Sequence, residues 1–344
     1  MFRLLVTNNL TKMSVTYINT TPKTPVYHRP AKTAKPSNDI LILIPGNPGL
    51  VDFYITYLDL IHAQFPHFEV LCIGHAGFLK SGAKNVTYDL GFQIEHKYEI
   101  VKQLVLSKNE RKIVPNLYFL HHSMGSFVYQ RALQKMYADK TLHGAFNVRF
   151  SGFITPTITD IAASPSGQKL TTLMKWNVPF VQIAVLLSFV LGLLPDFVLR
   201  GLIKYHLITR KVGDRAIDSS SYENSIEGVY KLLQSETIIN QALTMAQEEM
   251  RYIALDIDVN DWYFKNSDKL GIKNWMFFAK NDHWVHDETR DFLIDRYHDD
   301  KVTVCEVCED TENPITHSFC VTQSEQFAGI TIDRIKKICD LDLD

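Results

Sequence analysis

Apolar residues along this chain follow two alternating patterns: short continuous runs, and longer stretches at helical spacing. Continuous runs at 39–44, 68–74, 116–120 and 273–279 are typical of strands buried on both faces of a sheet. The intervening stretches place apolar residues on one helical face. One of them carries Phe53, Tyr54, Tyr57, Leu58 and Ile61. Strands that alternate with helices in this way predict an α/β fold with a doubly wound, mostly parallel sheet.

The same patterns predict the remaining elements of the sheet. The predicted bounds are 147–154 and 301–307 for further strands, and 98–106, 127–136, 289–297 and 317–338 for further helices. In parallel sheets, ligands bind at the edge where the strands have their carboxyl ends. The loops 45–49 and 75–78 and the residue Ser123 all follow strands at that edge. We therefore expect the functional site there.

Residues 157–265 interrupt the strand–helix alternation and are predicted to form an inserted helical cap. Within the cap, the apolar segment 176–199 contains Asp196 as its only charged residue, with Pro179 and Pro195 near its ends. Twenty residues of helix reach about 30 Å, the thickness of a bilayer core. Three interpretations fit: a lid helix or hairpin that dips into one lipid leaflet, an apolar cap over the site, or a membrane span.

These patterns divide the chain into three parts. The predicted bounds are 1–38 for an N-terminal extension with edge strands, 39–156 and 266–344 for the sheet and its helices, and 157–265 for the cap, in which 176–199 faces lipid. A connector rich in Pro, Lys, Thr and Ser at 30–37 is predicted to be an exposed loop.

Composition narrows the possible classes of protein. Of 344 residues, 46% are hydrophobic and 22% are charged, which suits a globular protein with a substantial core. The net charge of −2 gives no general attraction to nucleic acid. Five scattered cysteines argue against a disulfide scaffold and fit a reducing compartment, and Cys305 with Cys308 lack the further ligands of a metal site. The N-terminal apolar run is too short for the core of a signal peptide.

The run from Asn116 ends abruptly at Ser123, Gly125 follows, and a helical pattern begins directly afterwards. This is the strand–turn–helix context of a G-x-S-x-G nucleophile elbow, which lifts a serine hydroxyl clear of the backbone. The first glycine of the pattern is replaced by His121, whose side chain we expect to crowd the turn. The alternative interpretation is a serine in an ordinary loop between strand and helix.

A serine becomes a nucleophile when an imidazole accepts its proton and a carboxylate fixes the tautomer of that imidazole. The expected chain order is Ser, then Asp or Glu, then His. Asp282 follows one predicted strand and His317 follows the last, so Ser123, Asp282 and His317 form the predicted catalytic triad. Other candidate residues are less well placed. Asp287, Asp310 and Glu312 remain alternative acids, while His121, His122 and His283 lie beside the site but not at the position of a base.

The oxyanion of an acyl intermediate needs two backbone N–H donors. The residue after the nucleophile, Met124, supplies one. The loop after the first buried strand supplies the second, and only Gly46 and Asn47 there can donate because Pro45 and Pro48 have no N–H. We choose Asn47.

Several separated motifs together resemble the lipid droplet-associated serine hydrolases of the α/β-hydrolase fold. They are 44–49 with Phe53 and Tyr54, the elbow 122–125, the segment 155–167, the segment 248–250, the segment 281–284, and His317. The resemblance covers roughly residues 40–335 in the same order. It implies the same triad, neutral-lipid ester substrates, and attachment to lipid droplets through the apolar segment. The cytosolic face of the endoplasmic reticulum is a second expected location.

Together the residues and the resemblance predict a serine esterase or lipase with an α/β-hydrolase fold and a lipid-facing cap. It would cleave carboxylic esters of apolar lipids, such as triacylglycerol or sterol esters, without a metal or an organic cofactor. Its expected partners are the lipid ester and a droplet or membrane monolayer, and no nucleic acid. The alternative is a droplet-binding or organising protein that keeps the fold and turns over poorly. The sequence leaves the oligomeric state open.

Overall fold

The computed structural model describes residues 15–18, 20–33, 37–79, 86–209 and 219–341, and the side chains of 219–221 are not described. Most of the predicted N-terminal strand patches and part of the 30–37 connector lie outside these residues. The remainder of the extension contributes the outermost strand at one edge of the sheet and the strand paired with it.

One eight-stranded sheet is formed by the described residues, in the order β1-β2-β4-β3-β5-β6-β7-β8. Its strands are Thr16–Ile18 (β1), Thr24–Arg29 (β2), Asp39–Ile44 (β3), Glu69–Ile73 (β4), Asn116–His122 (β5), Asn147–Ile154 (β6), Lys273–Phe278 (β7) and Thr303–Val307 (β8). The pairings of β2 with β1 and with β4 are antiparallel, and all other pairings are parallel. The predicted mostly parallel sheet is confirmed.

Helices flank the sheet and fill the insertion. Their bounds are Ile55–Gln64 (α1), Leu90–Asn109 (α2), Met124–Ala138 (α3), Pro165–Lys175 (α4), Phe180–Leu191 (α5), Asp196–Thr209 (α6), Ser219–Leu233 (α7), Glu236–Tyr252 (α8), Ile257–Asn266 (α9), Asp287–Tyr297 (α10), Phe319–Thr322 (α11) and Ser324–Cys339 (α12). Short 3-10 turns occupy Val51–Tyr54, Lys140–Leu142 and Ile161–Ala163.

The strand order explains why the sheet is covered on both faces. The connection from β3 through α1 leads to β4 on one side of β3, whereas the connection from β4 through α2 leads to β5 on the other side. Because parallel crossovers are right-handed, this change of direction puts α1 and α2 on opposite faces. Helix α1 then packs with α12, and α2 packs with α3. The apolar residues of β3 are consequently fully buried.

Helices α4 to α9 connect β6 to β7 and hold the predicted cap region. The apolar segment 176–199 is not one helix, because α5 ends at Leu191 and α6 begins at Asp196. Among the described residues, no single helix is long and apolar enough to cross a membrane. Helices α4 and α5, which are bent by 102° relative to each other, are together long and apolar enough, by length and composition only. A small buried cluster of Leu199, Ile203, Leu207, Ile226 and Tyr230 fixes α6 against α7.

Two helix boundaries differ from the sequence-based prediction. Helix α2 begins at Leu90 rather than near residue 98, because the Asp89 carboxylate caps it by accepting the Phe92 N–H at 2.6 Å. The final helix does not begin at His317 but is split into α11 and α12, with Gln323 between them. His317 therefore lies in a loop after β8.

Gly125 permits the close approach of α3 to the end of β3. A Cβ at this position would lie 2.5 Å from both the Ile44 and the Pro45 carbonyl oxygens, which are backbone atoms. We predict that Gly125→Ala lowers the free energy of unfolding by about 2–3 kcal/mol, as overpacking does. Urea denaturation measures the change.

The matched control is Gly329→Ala at an exposed position of α12, where a new Cβ meets no atom within 4 Å. Relief of a helical glycine should raise stability by about 0.5–1 kcal/mol. Equal effects of the two substitutions would contradict the account of Gly125.

Candidate active site

Ser123 lies at the sharp turn between β5 and α3. Its backbone has φ 52° and ψ −126°, a conformation that non-glycine residues rarely adopt. The turn is held on the β6 side, because the Ser123 N–H donates to the Ile154 carbonyl and the Ser123 carbonyl accepts the Thr157 N–H. The serine hydroxyl consequently projects from the carboxyl edge of the sheet toward the loops that follow β7 and β8.

The structure brings Ser123, His317 and Asp282 together from three different loops. The Ser123 Oγ lies 2.9 Å from the His317 Nε2, and the His317 Nδ1 lies 2.9 Å from the Asp282 Oδ2. Since a carboxylate only accepts, the His317 Nδ1 carries the proton and Nε2 is left to accept the serine hydroxyl. This is the tautomer that a general base needs.

Asp282 is nearly buried, with its side chain 3% exposed. Burial by itself would raise its pKa, but the His317 ring and the N–H groups of Trp284 and Val285 outweigh burial and lower the pKa. Its carboxylate therefore remains charged opposite the imidazole.

The three alternative acids are engaged or exposed elsewhere. Asp287 begins α10 and pairs with Arg290. Asp310 accepts the N–H groups of Glu312 and Asn313 in an exposed loop, which also contains Glu312. Asp282 is thus the acid that the structure brings to His317.

The residue after Ser123 and the loop after β3 supply the candidate backbone N–H donors for an oxyanion. Met124 is the first residue of α3, so its N–H has no partner within the helix. In the facing loop, the Gly46 N–H donates to the Tyr54 hydroxyl at 3.1 Å. Among the described residues, the Asn47 N–H has no acceptor. Asn47 is therefore the more available of the two candidate donors.

His122 and Tyr54 link this loop to the loop of His317. The His122 Nε2 lies 2.8 Å from the His317 carbonyl oxygen, which can only accept, so Nε2 is the donor. Burial is the main cause that lowers the pKa of His122 to about 3, and the nearby His317 is the second. The ring is therefore neutral, and its Nδ1 accepts a hydrogen bond from the Tyr54 hydroxyl at 2.7 Å. Sequence reasoning missed this link, although Tyr54 belongs to a quoted motif.

His121 does not crowd the turn, contrary to the expectation from the sequence. Its ring is buried beneath the elbow, 2.9 Å from the Ser126 Oγ and 2.8 Å from the Ser151 Oγ, and it stacks on Tyr129. Burial holds its pKa well below the usual value, so the ring is neutral. Because side chains alternate along β5, His121 points to the face opposite His122, whose Nε2 lies near the His317 carbonyl oxygen. His121 therefore gives no steric reason to expect a poorly active protein.

A cavity of about 820 Å³ lies over the triad and contains Ser123 and His317 in its wall. The cap contributes apolar residues to this wall: Leu191, Leu199, Leu202, Ile203, Leu207, Val229, Leu232 and Leu233. His283, exposed beside Asp282, also lines the cavity.

Helix α8 carries a second feature that sequence reasoning missed. The Asn47 side-chain amide donates to the Ala242 carbonyl at 2.8 Å and to the Glu249 Oε1 at 2.9 Å. Glu249 belongs to a segment quoted for the resemblance, but no sequence pattern predicted its contact with Asn47. Both acceptors lie in the cap. The cap therefore directly contacts the loop 45–49, which we call the oxyanion loop because it holds the candidate donors Gly46 and Asn47.

Comparison with known proteins places this geometry in context. Residues 37–320 match the sequence model of the family described as Lipid-droplet associated hydrolase. The chain is 24% identical over 312 residues to the Gallus gallus protein named Lipid droplet-associated hydrolase, with 86% of this chain and 84% of that protein covered. The resemblance predicted from the motifs is confirmed.

Solved structures show the same fold at low sequence identity. An esterase from Exiguobacterium antarcticum has a TM-score of 0.55 at 15% identity, covering 94% of this chain and 100% of that chain. A soluble variant of monoglyceride lipase from Saccharomyces cerevisiae has a TM-score of 0.54 at 13% identity, covering 96% of each chain. The predicted α/β-hydrolase fold is confirmed.

The buried position of His121 predicts a structural role. Replacing it with alanine leaves a cavity and two buried serine hydroxyls without their ring partner, so His121→Ala should lower the free energy of unfolding by about 2–4 kcal/mol. Urea denaturation measures this loss.

Turnover of a soluble ester per folded molecule should meanwhile stay within about threefold, because such changes act on the fold rather than on the reacting groups. The control is His143→Ala, at an exposed turn position, which should change neither quantity. A stable His121→Ala protein with abolished turnover would contradict the structural role.

Proposed function

This chain belongs to the lipid-droplet associated hydrolase family, and on that premise we propose that it is a serine esterase acting on apolar lipid esters. The single observation that supports this most strongly is the hydrogen-bonded series Ser123 Oγ, His317 and Asp282, with both distances at 2.9 Å. The proposed substrates are neutral-lipid esters, a class that includes triacylglycerol and sterol esters.

In the proposed reaction, Ser123 attacks the ester carbonyl while the His317 Nε2 accepts its proton. The charge on the carbonyl oxygen is stabilised by the N–H groups of Met124 and Asn47. His317 then protonates the leaving alcohol, and Asp282 stabilises the imidazolium that forms. A water molecule, activated by His317 in the same way, hydrolyses the acyl-enzyme and releases the acid. These steps use only groups of this chain and water.

The size and lining of the cavity support an apolar acyl chain as the group bound beside Ser123. Its volume of about 820 Å³ lies in the range of small-molecule sites. Leucines and isoleucines of α6 form much of its wall. Each CH2 group that leaves water there contributes roughly 0.8 kcal/mol, so a long acyl chain gains binding energy steadily with length.

The outer face of the cap supports docking on a lipid monolayer through 176–199. We define the docking surface as the exposed apolar residues Trp176, Ile183, Leu186, Leu187, Phe189, Val190, Leu193 and Phe197. Trp176 is 75% exposed and Phe197 is 78% exposed. A soluble monomer rarely exposes so many large apolar residues along one segment, and such patches mark partner or membrane sites. An interfacial helix with a buried apolar face suits this role.

The docking surface and the cavity share α6. Leu199, Ile203 and Leu207 face the cavity wall, whereas Phe197 is exposed on the same helix. A lipid that enters from a monolayer against the docking surface would therefore meet the cavity across a single helix. This arrangement supports hydrolysis at the droplet surface.

The triad makes a quantitative prediction. Ser123→Ala and His317→Ala should each lower kcat/KM for a soluble ester by about 10³-fold or more, and the double variant should lose little beyond either one, because the residues act as a unit. Asp282→Asn should lose less, since the base remains. Steady-state kinetics on all four variants decide the matter, and additive losses or an unaffected Asp282→Asn would contradict the assignment.

The docking surface makes a separate prediction. Leu186 and Phe189 are 62% and 52% exposed, so aspartates there should not disturb the fold. Loss of two buried apolar side chains at the monolayer, at least about 1.5 kcal/mol each, should weaken droplet binding by about 100-fold or more. Flotation with purified droplets measures this.

The matched control introduces two aspartates at Val114 and Leu255, which are exposed apolar residues outside 176–199. This control should float as the unsubstituted protein does, and all forms should keep activity on a short soluble ester. Undiminished flotation of the Leu186→Asp/Phe189→Asp variant would exclude docking through 176–199.

A further inference from the structure

Glu249 places a carboxyl group in a cavity whose wall is mostly apolar. Among the described residues that line the cavity, it is the only aspartate or glutamate. Its residue is 5% exposed, and it projects from α8 of the cap. The triad does not use it, so its presence beside the reacting groups needs another physical reason.

Only one of its two oxygens is engaged. The Glu249 Oε1 accepts the Asn47 amide at 2.9 Å, whereas Oε2 has no hydrogen-bond partner among the described residues. The Glu249 Oε2 atom is not fully enclosed by protein, and because Glu249 lines the cavity, this oxygen remains accessible from it. A carboxyl oxygen removed from bulk water without a partner is costly, and a bound ligand with a hydroxyl group would remove that cost.

Glu249 is joined to the proposed oxyanion site through Asn47, and it lines the same cavity as Ser123. Asn47 joins the two sites, since its backbone N–H is the proposed oxyanion donor and its side chain binds Glu249. In a glycerol ester with a free hydroxyl, two or three carbons separate that hydroxyl from the ester oxygen. A fully esterified glycerol or a sterol ester presents only acceptors or hydrocarbon at the same place.

We propose that Glu249 binds a free hydroxyl of the substrate's alcohol group, so that the enzyme prefers hydroxyl-bearing esters such as partial glycerides. This inference rests on the proposed esterase function and specifies its substrate class. A hydroxyl suits the site in either protonation state, because it donates to a carboxylate and accepts from a carboxylic acid.

The protonation of Glu249 adds a pH dependence to this preference. Burial raises the pKa of Glu249 to about 7, and the bond from Asn47 opposes that rise. The carboxylate forms as the pH rises through this value, and a charged acceptor binds a hydroxyl more strongly than a neutral one. The preference for hydroxyl-bearing esters should therefore increase from pH 6 to pH 8, about one unit on either side of that pKa.

The test compares monooleoylglycerol with propyl oleate, in the same detergent micelles, using the full-length protein. The unsubstituted enzyme should favour monooleoylglycerol in kcat/KM by about tenfold, the value of one charge-assisted hydrogen bond. Glu249→Met should abolish this preference, and Glu249→Gln, whose amide oxygen can still accept from Asn47, should reduce it. The matched control is Glu248→Gln, because Glu248 contacts the Leu90 N–H outside the cavity wall.

A second measurement separates this inference from the proposed function. Ether analogues that cannot be hydrolysed, 1-O-oleylglycerol and oleyl propyl ether, are titrated into Ser123→Ala protein with and without Glu249→Met. Tighter binding of the glycerol ether that depends on Glu249 supports the inference even if turnover fails. Equal losses for both esters, or a preference that survives in Glu249→Met, would overturn it and leave Glu249 as a support for Asn47.

Discussion

The backbone conformation of Ser123 is the constraint on which the rest of the site depends. A non-glycine residue at φ 52° and ψ −126° costs about 1–3 kcal/mol, so its neighbours must hold it there. The parallel pairing of β5 with β3 and β6 fixes the strand up to His122, and α3 begins at the very next residue after the serine. Gly125 lets that helix approach the end of β3. The position of the hydroxyl is thus set by the sheet itself.

Two sets of hydrogen bonds connect this turn to the loops around it. One runs from the Gly46 N–H through Tyr54 and His122 to the His317 carbonyl, and so joins the oxyanion loop to the loop of the base. The donors and acceptors in this set of hydrogen bonds stay the same across the neutral pH range, because the pKa of His122 is lowered to about 3 and its ring stays neutral. The other joins Asn47 to α8, which brings the cap into contact with the reacting groups. The sheet, these loops and the cap therefore meet in one small region around Ser123.

Much of the fold could be predicted from the sequence because buried parallel strands are continuous apolar runs, as in β3 and β7. Candidate site residues could also be named, since Ser123 and Asp282 each follow such a strand and His317 follows the last predicted strand. Contacts between distant segments could not be predicted. Asn47 and Glu249 are separated by 202 residues and meet only because the cap folds back over the sheet. The burial of the His121 ring could not be predicted, because its partners Ser126 and Ser151 are brought to it only by the fold.

The central claim is that the environment of Ser123 activates its hydroxyl. Reaction of the full-length protein with a fluorophosphonate probe, followed by mass spectrometry of the labelled peptides, tests this most directly. The account predicts stoichiometric labelling at Ser123, strongly slowed when His317 is replaced by alanine, because the imidazole must accept the hydroxyl proton. Absence of labelling in the folded protein, or labelling at another serine, would contradict it.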